Sequence, residues 1–203
     1  MLTAKPATAI AEGAAPEILG ELRNPGCAAA IWQRRPDPLL SAWLEGLPPE
    51  RLPALRQDLA VEEVAAAVDR ACARAGMTAG TGRDRLRVDV TDQARRFAGL
   101  MRQGRLHLRL DVVRGNACSR FHVDYVPARM LCTYRGPGTE YGIAGADGQP
   151  TEVHQRAAGW VGLFRGRLWP GASPTGLVHR SPPIEGSGET RLLLVLDVAE
   201  AEG

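Results

Sequence analysis

The sequence predicts an α+β protein in which short strands of the second half build a jelly roll or barrel, with helices of the first half packed outside it. Three observations carry this. Apolar residues recur at helical spacing from Leu39 to Met101. At Gly104 the period changes to two, with Leu106, Leu108, Leu110 and Val112 alternating with His107, Arg109, Asp111 and Val113. Beyond that point short apolar stretches are separated by turn-rich segments such as Arg135-Gly-Pro-Gly138 and Glu185-Gly-Ser-Gly188.

Residues 1–25 are rich in Ala, Pro and Gly and read as a loose leader, leaving 26–203 as a single catalytic domain. Cys27 to Gln33 fits a short strand ended by Arg35-Pro-Asp-Pro38. Leu39, Leu40, Trp43, Leu44 and Leu47 then form one face of a helix closed by Pro48-Pro49, and Glu50 to Leu59 begins another. Val61, Val64, Ala65, Val68, Cys72 and Ala75 make an apolar stripe that stops at Gly76. Thr91 or Asp92 is suited to cap a further helix carrying Ala94, Phe97, Leu100 and Met101, with Gly104 past its end. This helical elaboration, about 39–103, precedes a β core of about 104–198. Its strands are expected at Leu106–Val113, Phe121–Asp124, Arg129–Arg135, Trp160–Phe164, Gly176–Arg180 and Thr190–Val198.

The whole-chain balance narrows the function classes. The 203 residues suffice for one hydrophobic core, and 44% apolar with 24% charged residues is an ordinary globular composition. Lys5 is the only lysine, but the arginines alternate with acids and the formal net charge is +2, so nucleic acid is an unlikely partner. The four cysteines form no CxxC pair, as expected of reduced thiols in a cytoplasm. The N-terminus has no continuous apolar core before Glu12, and no apolar run reaches the roughly 20 residues of a membrane helix. The expected setting is cytoplasmic, and the helical half offers a wall of the pocket or a homodimer surface.

The residues that carry chemistry are His122-Val-Asp124 and, far downstream, His179. Residues two apart on a strand share a face, so His122 and Asp124 can present an imidazole and a carboxylate to one point. Two histidines and one carboxylate on one side of a metal suit non-haem iron(II), whose remaining positions stay open to small ligands. Other candidates are weaker on residue type and placement. His107 lies on the polar face of its strand and His154 in a polar loop, while Cys118 and Cys132 near His122 leave a Cys/His zinc site open.

These motifs fall in a recognisable order. His122-Val-Asp124, Met130-Leu-Cys-Thr-Tyr134, Gly136-Pro-Gly-Thr-Glu-Tyr141, Gly159-Trp-Val-Gly-Leu-Phe164, His179 and Arg191 together resemble the iron(II)/2-oxoglutarate-dependent dioxygenases, in the branch that includes the prolyl hydroxylases. The chain also resembles, over nearly its full length, a bacterial family known only as a domain of unknown function. Arg120-Phe-His-Val-Asp124, Leu131-Cys-Thr-Tyr-Arg-Gly-Pro-Gly-Thr-Glu140 and Leu177-Val-His-Arg-Ser-Pro-Pro183 carry that second likeness.

The dioxygenase resemblance implies a double-stranded β-helix core in which His122, Asp124 and His179 hold iron(II) and 2-oxoglutarate chelates the metal. Arg191 is then the cation for the far carboxylate of that co-substrate, because a guanidinium binds a carboxylate through a planar fork. It opens the apolar run Leu192 to Leu196, where a charge is costly to bury without a partner. Pairing of Arg191 with Glu189 or Asp197 is the plainer alternative. Tyr134 is expected to divide its surface between core and co-substrate. Two positions depart from the pattern: the gap from His179 to Arg191 is long, and Leu193 stands where some dioxygenases place a serine.

The competing reading is a metal-binding, cupin-like protein without 2-oxoglutarate chemistry, of the kind that serves metal homeostasis. Asp124 stands where a cupin's second histidine belongs, and Ala128-Arg129 where its glutamate would be sought. A non-catalytic interaction module is the third. The substrate class stays open among small molecules, protein side chains and nucleobases, since pocket loops select it.

Overall fold

Strand Arg191–Val198 is the axis of the molecule. In the computed structural model, which describes residues 4–171 and 173–199, seven of its eight residues are buried, so both faces of the strand must be covered. With β1 (Ala9–Gly13), β2 (Cys27–Trp32), β3 (Leu55–Ala60), β4 (Arg105–Val113), β5 (Ala128–Arg135), β8 (Val161–Arg165) and itself as β10, it forms a seven-stranded sheet of order β1-β2-β8-β5-β10-β4-β3. Only the β1–β2 pair is parallel. A second sheet, of order β7-β6-β9, comprises β6 (Glu140–Ile143), β7 (His154–Gln155) and β9 (Leu177–Arg180).

Strand alternation assigns the two faces. Leu192, Leu194 and Leu196 of β10, Leu106, Leu108 and Leu110 of β4, and Met130 and Cys132 of β5 share a core with α1 (Pro38–Glu45), α2 (Val64–Arg74) and α3 (Thr81–Met101). The helices contribute Leu40 and Leu44, then Val64, Val68 and Cys72, then Leu86, Val90, Ala94 and Phe97. On the opposite face Leu193 and Val195 meet Leu131, Phe164, and Tyr141 and Leu177 of the small sheet. Helices, large sheet and small sheet are therefore three successive layers.

Several expectations change. Glu50 to Leu59 is no helix: Pro49–Arg51 makes a 3-10 turn and Leu55–Ala60 is the edge strand β3. Leu55 and Leu59, four apart, satisfy one face of a helix and one face of a strand alike, and only the exposed Arg56, Gln57 and Asp58 between them mark an edge. Helix α3 begins ten residues before the expected caps. Thr91 lies inside it, its hydroxyl donating to the Arg87 carbonyl at 2.7 Å. Phe121 to Asp124 is not a strand but makes a single antiparallel bridge, His122 to His179. The expected loose leader carries β1 and a 3-10 segment, Pro16–Arg23, that buries Leu19 and Leu22. The strands at β2, β4, β5, β8, β9 and β10 lie where the apolar pattern puts them.

Helices α1 and α3 are held tightly by Gly82, in the first turn of α3. A Cβ at this position would overlap the Trp43 ring of α1 at its core atoms, which cannot swing aside as a flexible tip can. Gly82→Ala should therefore lower unfolding stability by about 1–3 kcal/mol, against alanine's better helix propensity. Urea denaturation measures it, and a variant as stable as the parent or more so would show that the helices can part.

Candidate metal centre

His122 and His179 are brought face to face by the backbone. Each donates its N–H to the other's carbonyl at 3.0 Å, so the two residues are directly opposed although only one of them belongs to a regular strand. Asp124, two residues along from His122, projects to the same side. One ligand atom from each of His122, Asp124 and His179 lies within 4.8 Å of the others. The His179 ring stacks on Phe164 with centroids 5.1 Å apart and meets the His122 ring at 4.8 Å.

The donor atoms of the triad are fixed by their neighbours. His122 Nδ1 lies 2.8 Å from the Arg120 carbonyl, which can only accept, so Nδ1 carries the proton and Nε2 keeps its lone pair free. Asp124 Oδ1 is held by Arg129 Nη1, and Arg129 in turn grips Asp197 through Nε and Nη2, both at 2.7 Å. Asp124 Oδ2 is buried 3.0 Å from His179 Nε2, yet the two lack the alignment of a hydrogen bond and Oδ2 has no donor. A buried carboxylate oxygen left open beside two imidazole nitrogens fits a cation.

The surroundings set the charges. Burial acts to raise the Asp124 carboxyl, but contact with both imidazoles and the charge of Arg129 override it and hold the group well below the usual carboxylate range. His122 is raised, chiefly by its interaction with Asp124. His179 is lowered, because burial disfavours its imidazolium more than Asp124 favours it.

Both histidines of the triad open on a cavity of about 790 Å³, to which Arg129, Leu131, Ser181 and Val195 also contribute. Arg191 lies behind this wall, fully buried, and pairs with neither Glu189 nor Asp197. It donates to the Pro137 carbonyl and Ser181 Oγ at 2.7 Å and to Thr133 Oγ1 at 3.4 Å, and burial pushes its guanidinium down to about 10. Tyr134 is elsewhere: it points to the helical face, where its hydroxyl donates to Asp89 at 2.5 Å, so the sheet separates it from the cavity. The reason is alternation, since Thr133 takes the cavity side and Tyr134 the other.

Cys132 also faces the helices, beside Arg34, whereas Cys118 is exposed at the cavity, so the two cannot share a zinc ion. His107 pairs with Asp58 and His154 sits exposed beside the Tyr141 ring. Neither belongs to the ligand group.

Residues 13–197 match the family described as "Protein of unknown function (DUF1826)". The chain belongs to this DUF1826 family. Among curated proteins none matches its sequence. The fold is similar to the crystal structure of the dioxygenase for auxin oxidation from rice, with a TM-score of 0.54 at 14% identity, over 96% of this chain and 84% of that one. It is equally similar to dioxygenase for auxin oxidation 1 from Arabidopsis thaliana, in complex with 2-oxoglutarate, at TM-score 0.54 and 12% identity over 96% and 93% of the two chains. At these identities the likeness is one of fold. The sequence therefore points correctly to this family, and the fold is like that of these two dioxygenases. No helix among the described residues of this DUF1826 protein is long and apolar enough to cross a membrane.

Arg129 and Arg156, near the triad of this DUF1826 protein, carry no motif, and the contact of Arg191 with Ser181 carries none either. Arg129 is marked only as a charge inside a buried strand. Ser181 and Arg191 meet only in three dimensions. Arg156 is buried over the Phe164 ring, donating from Nη1 to the Leu131 and Trp160 carbonyls at 2.8 and 3.3 Å, while its Nε and Nη2 have no partner. Burial lowers it to about 10.

Two outcomes are expected. Asp124→Ala should abolish stoichiometric binding of one divalent metal, because it deletes the only anionic ligand. Elemental analysis of the dialysed variant checks this, and an unchanged metal content sinks the ligand assignment. The pH dependence has a definite sign: His122 holds its proton to higher pH than a free imidazole, near 6.5, and a metal must displace that proton. In metal-free protein the raised value stabilises the fold below the unfolded pKa and this is lost as pH rises through the folded one. The gain in Tm on adding metal should thus be larger at pH 8 than at pH 6, and equal gains would exclude His122 as a ligand.

Proposed function

We propose that this protein is an iron(II)/2-oxoglutarate-dependent dioxygenase of the hydroxylase type, whose two facing sheets form a double-stranded β-helix. The observation that carries the reading is the cluster of His122, Asp124 and His179 at the wall of a cavity large enough for an organic substrate. Two neutral imidazoles and one carboxylate leave an iron(II) ion with a single positive charge and open coordination positions, as chelation by an acid requires.

Bound iron(II), with 2-oxoglutarate and dioxygen, supplies the oxidising power to break an unactivated C–H bond. The chain supplies position. Arg129 fixes the carboxylate ligand and spends one of its oxygens, so that Oδ2 alone faces the ion. The Arg120 carbonyl sets the His122 tautomer, and Phe164 holds the plane of His179. Arg191 is the cation for the far carboxylate of the co-substrate. It is buried with no acid in direct contact, Glu140 acting only at a distance, and its contact Ser181 lines the cavity, in the role of the serine that some dioxygenases have where this chain has Leu193. The substrate is a small molecule or a protein side chain.

A second reading, the cupin-like metal binder without 2-oxoglutarate chemistry, draws on the three neutral acceptors that already engage Arg191. Titration of anaerobic iron(II) protein with 2-oxoglutarate separates the two. Arg191→Leu should retain the metal and weaken the acid by about 2 to 5 kcal/mol, on the order of 30-fold to several thousand-fold. Equal binding by both proteins, or no binding by the parent at millimolar concentration, would favour the second reading.

A further inference from the structure

The floor of the cavity carries charge in an uneven way. On the cavity face of the large sheet, one row across the strands reads Arg129, Asp197, His107, Asp58, so each basic side chain lies beside an acid. The next row reads Leu131, Val195, Arg109, Arg56, and here two arginines are direct cross-strand partners. Like charges in that position repel, and a sheet gains nothing from them. The acid within reach is Asp111 on the same strand, whose Oδ2 is 3.4 Å from Arg109 Nη1. Arg109 Nε is buried with no acceptor, and the Arg56 side chain has no partner among the described residues. Arg74 and Arg114 stand further round the same cavity.

We infer that Arg56 and Arg109 form an anion subsite that holds the carboxylate or phosphate of a small organic acid, which is the substrate of this cavity. Two adjacent guanidiniums, one with an idle buried N–H, suit an acceptor with several oxygens, and such an acid would relieve their repulsion. Val195 and Leu131 complete the row and reach the wall of the metal centre, so the body of the ligand has an apolar track leading from the arginines toward His179. Adjacent strands lie about 4.8 Å apart, which puts Arg109 roughly 10 Å from Leu131 across two strand spacings and Arg56 roughly 14 Å across three, and an aromatic or short aliphatic acid can bridge the shorter span. This assignment rests on the dioxygenase reading only for what happens to the ligand at the metal, since the anion contacts themselves need no ion.

The test uses metal-free protein, so that acids cannot bind through a metal, with benzoate and phenyl phosphate as probes and benzyl alcohol as the neutral counterpart. Ligand-observed NMR titration should show one or both acids binding at millimolar concentration or better. The variant Arg56→Gln/Arg109→Gln should weaken them at least about tenfold and leave benzyl alcohol unchanged. The stronger of the two acids tells whether the subsite prefers a carboxylate or a phosphate. Arg56→Gln alone, at an exposed edge position, guards against misfolding of the double variant and should by itself weaken the acids while raising Tm, because it removes the like-charge pair. The inference falls if neither acid binds the parent, or if parent and variants bind them equally. It also falls if the double variant loses 2-oxoglutarate while Arg191→Leu keeps it, since the arginines would then serve the co-substrate. Acid binding that depends on Arg56 and Arg109 in a protein that takes up no metal would leave the subsite standing and remove the dioxygenase reading alone.

Discussion

The fork of Arg129 between Asp124 and Asp197 is the contact on which the site depends. Asp124 belongs to no strand, so the backbone ladder that orders the rest of the sheet does not fix it. Arg129 does so from β5, and is itself anchored on the central strand through two bonds to Asp197. All three charges are largely buried, and removing one member of such a network typically costs about 3–5 kcal/mol, because the others are left uncompensated. The geometry of the His-Asp-His triad is thus tied directly to the central strand β10.

That strand also explains the layering. An apolar run as long as Leu192 to Leu196 needs cover on both sides, which the helices give on one face and the small sheet on the other. The small sheet in turn carries His179, so the element that completes the core is the one that brings this imidazole to the triad. Gly166 shows how closely the segment between Asp124 and β5 is clamped. A side chain there would strike the Val126 and Asp124 carbonyls, while the Arg167 N–H donates to Asp124 at 2.9 Å.

What the sequence disclosed follows from how local each signal is. His122, Asp124 and His179 stand out together because two of them sit two positions apart and the third is a lone imidazole in the apolar strand Leu177–Arg180. Arg129 does not, because its partner Asp197 is 68 residues away and a lone arginine in a strand names no acceptor. The face of Tyr134 is not readable in the sequence, because β5 is buried on both sides, so its hydrophobicity does not alternate and gives no register. Leu55 and Leu59 hid a strand behind a spacing that both periodicities share. The start of α3 was missed because its first turns show mostly charged residues, while Thr91-Asp92 inside the helix imitates a cap.

Strand β3 has a second consequence, for life in a crowded solution. As the outermost strand it presents unpaired amide and carbonyl groups along one side, the kind of rim onto which another chain can be added. Its central residues, Arg56, Gln57 and Asp58, are all exposed and two of them are charged. Charges along a rim oppose stacking of one copy on the next. The side chains that wall the cavity therefore also keep this border of the sheet from templating fibrous growth.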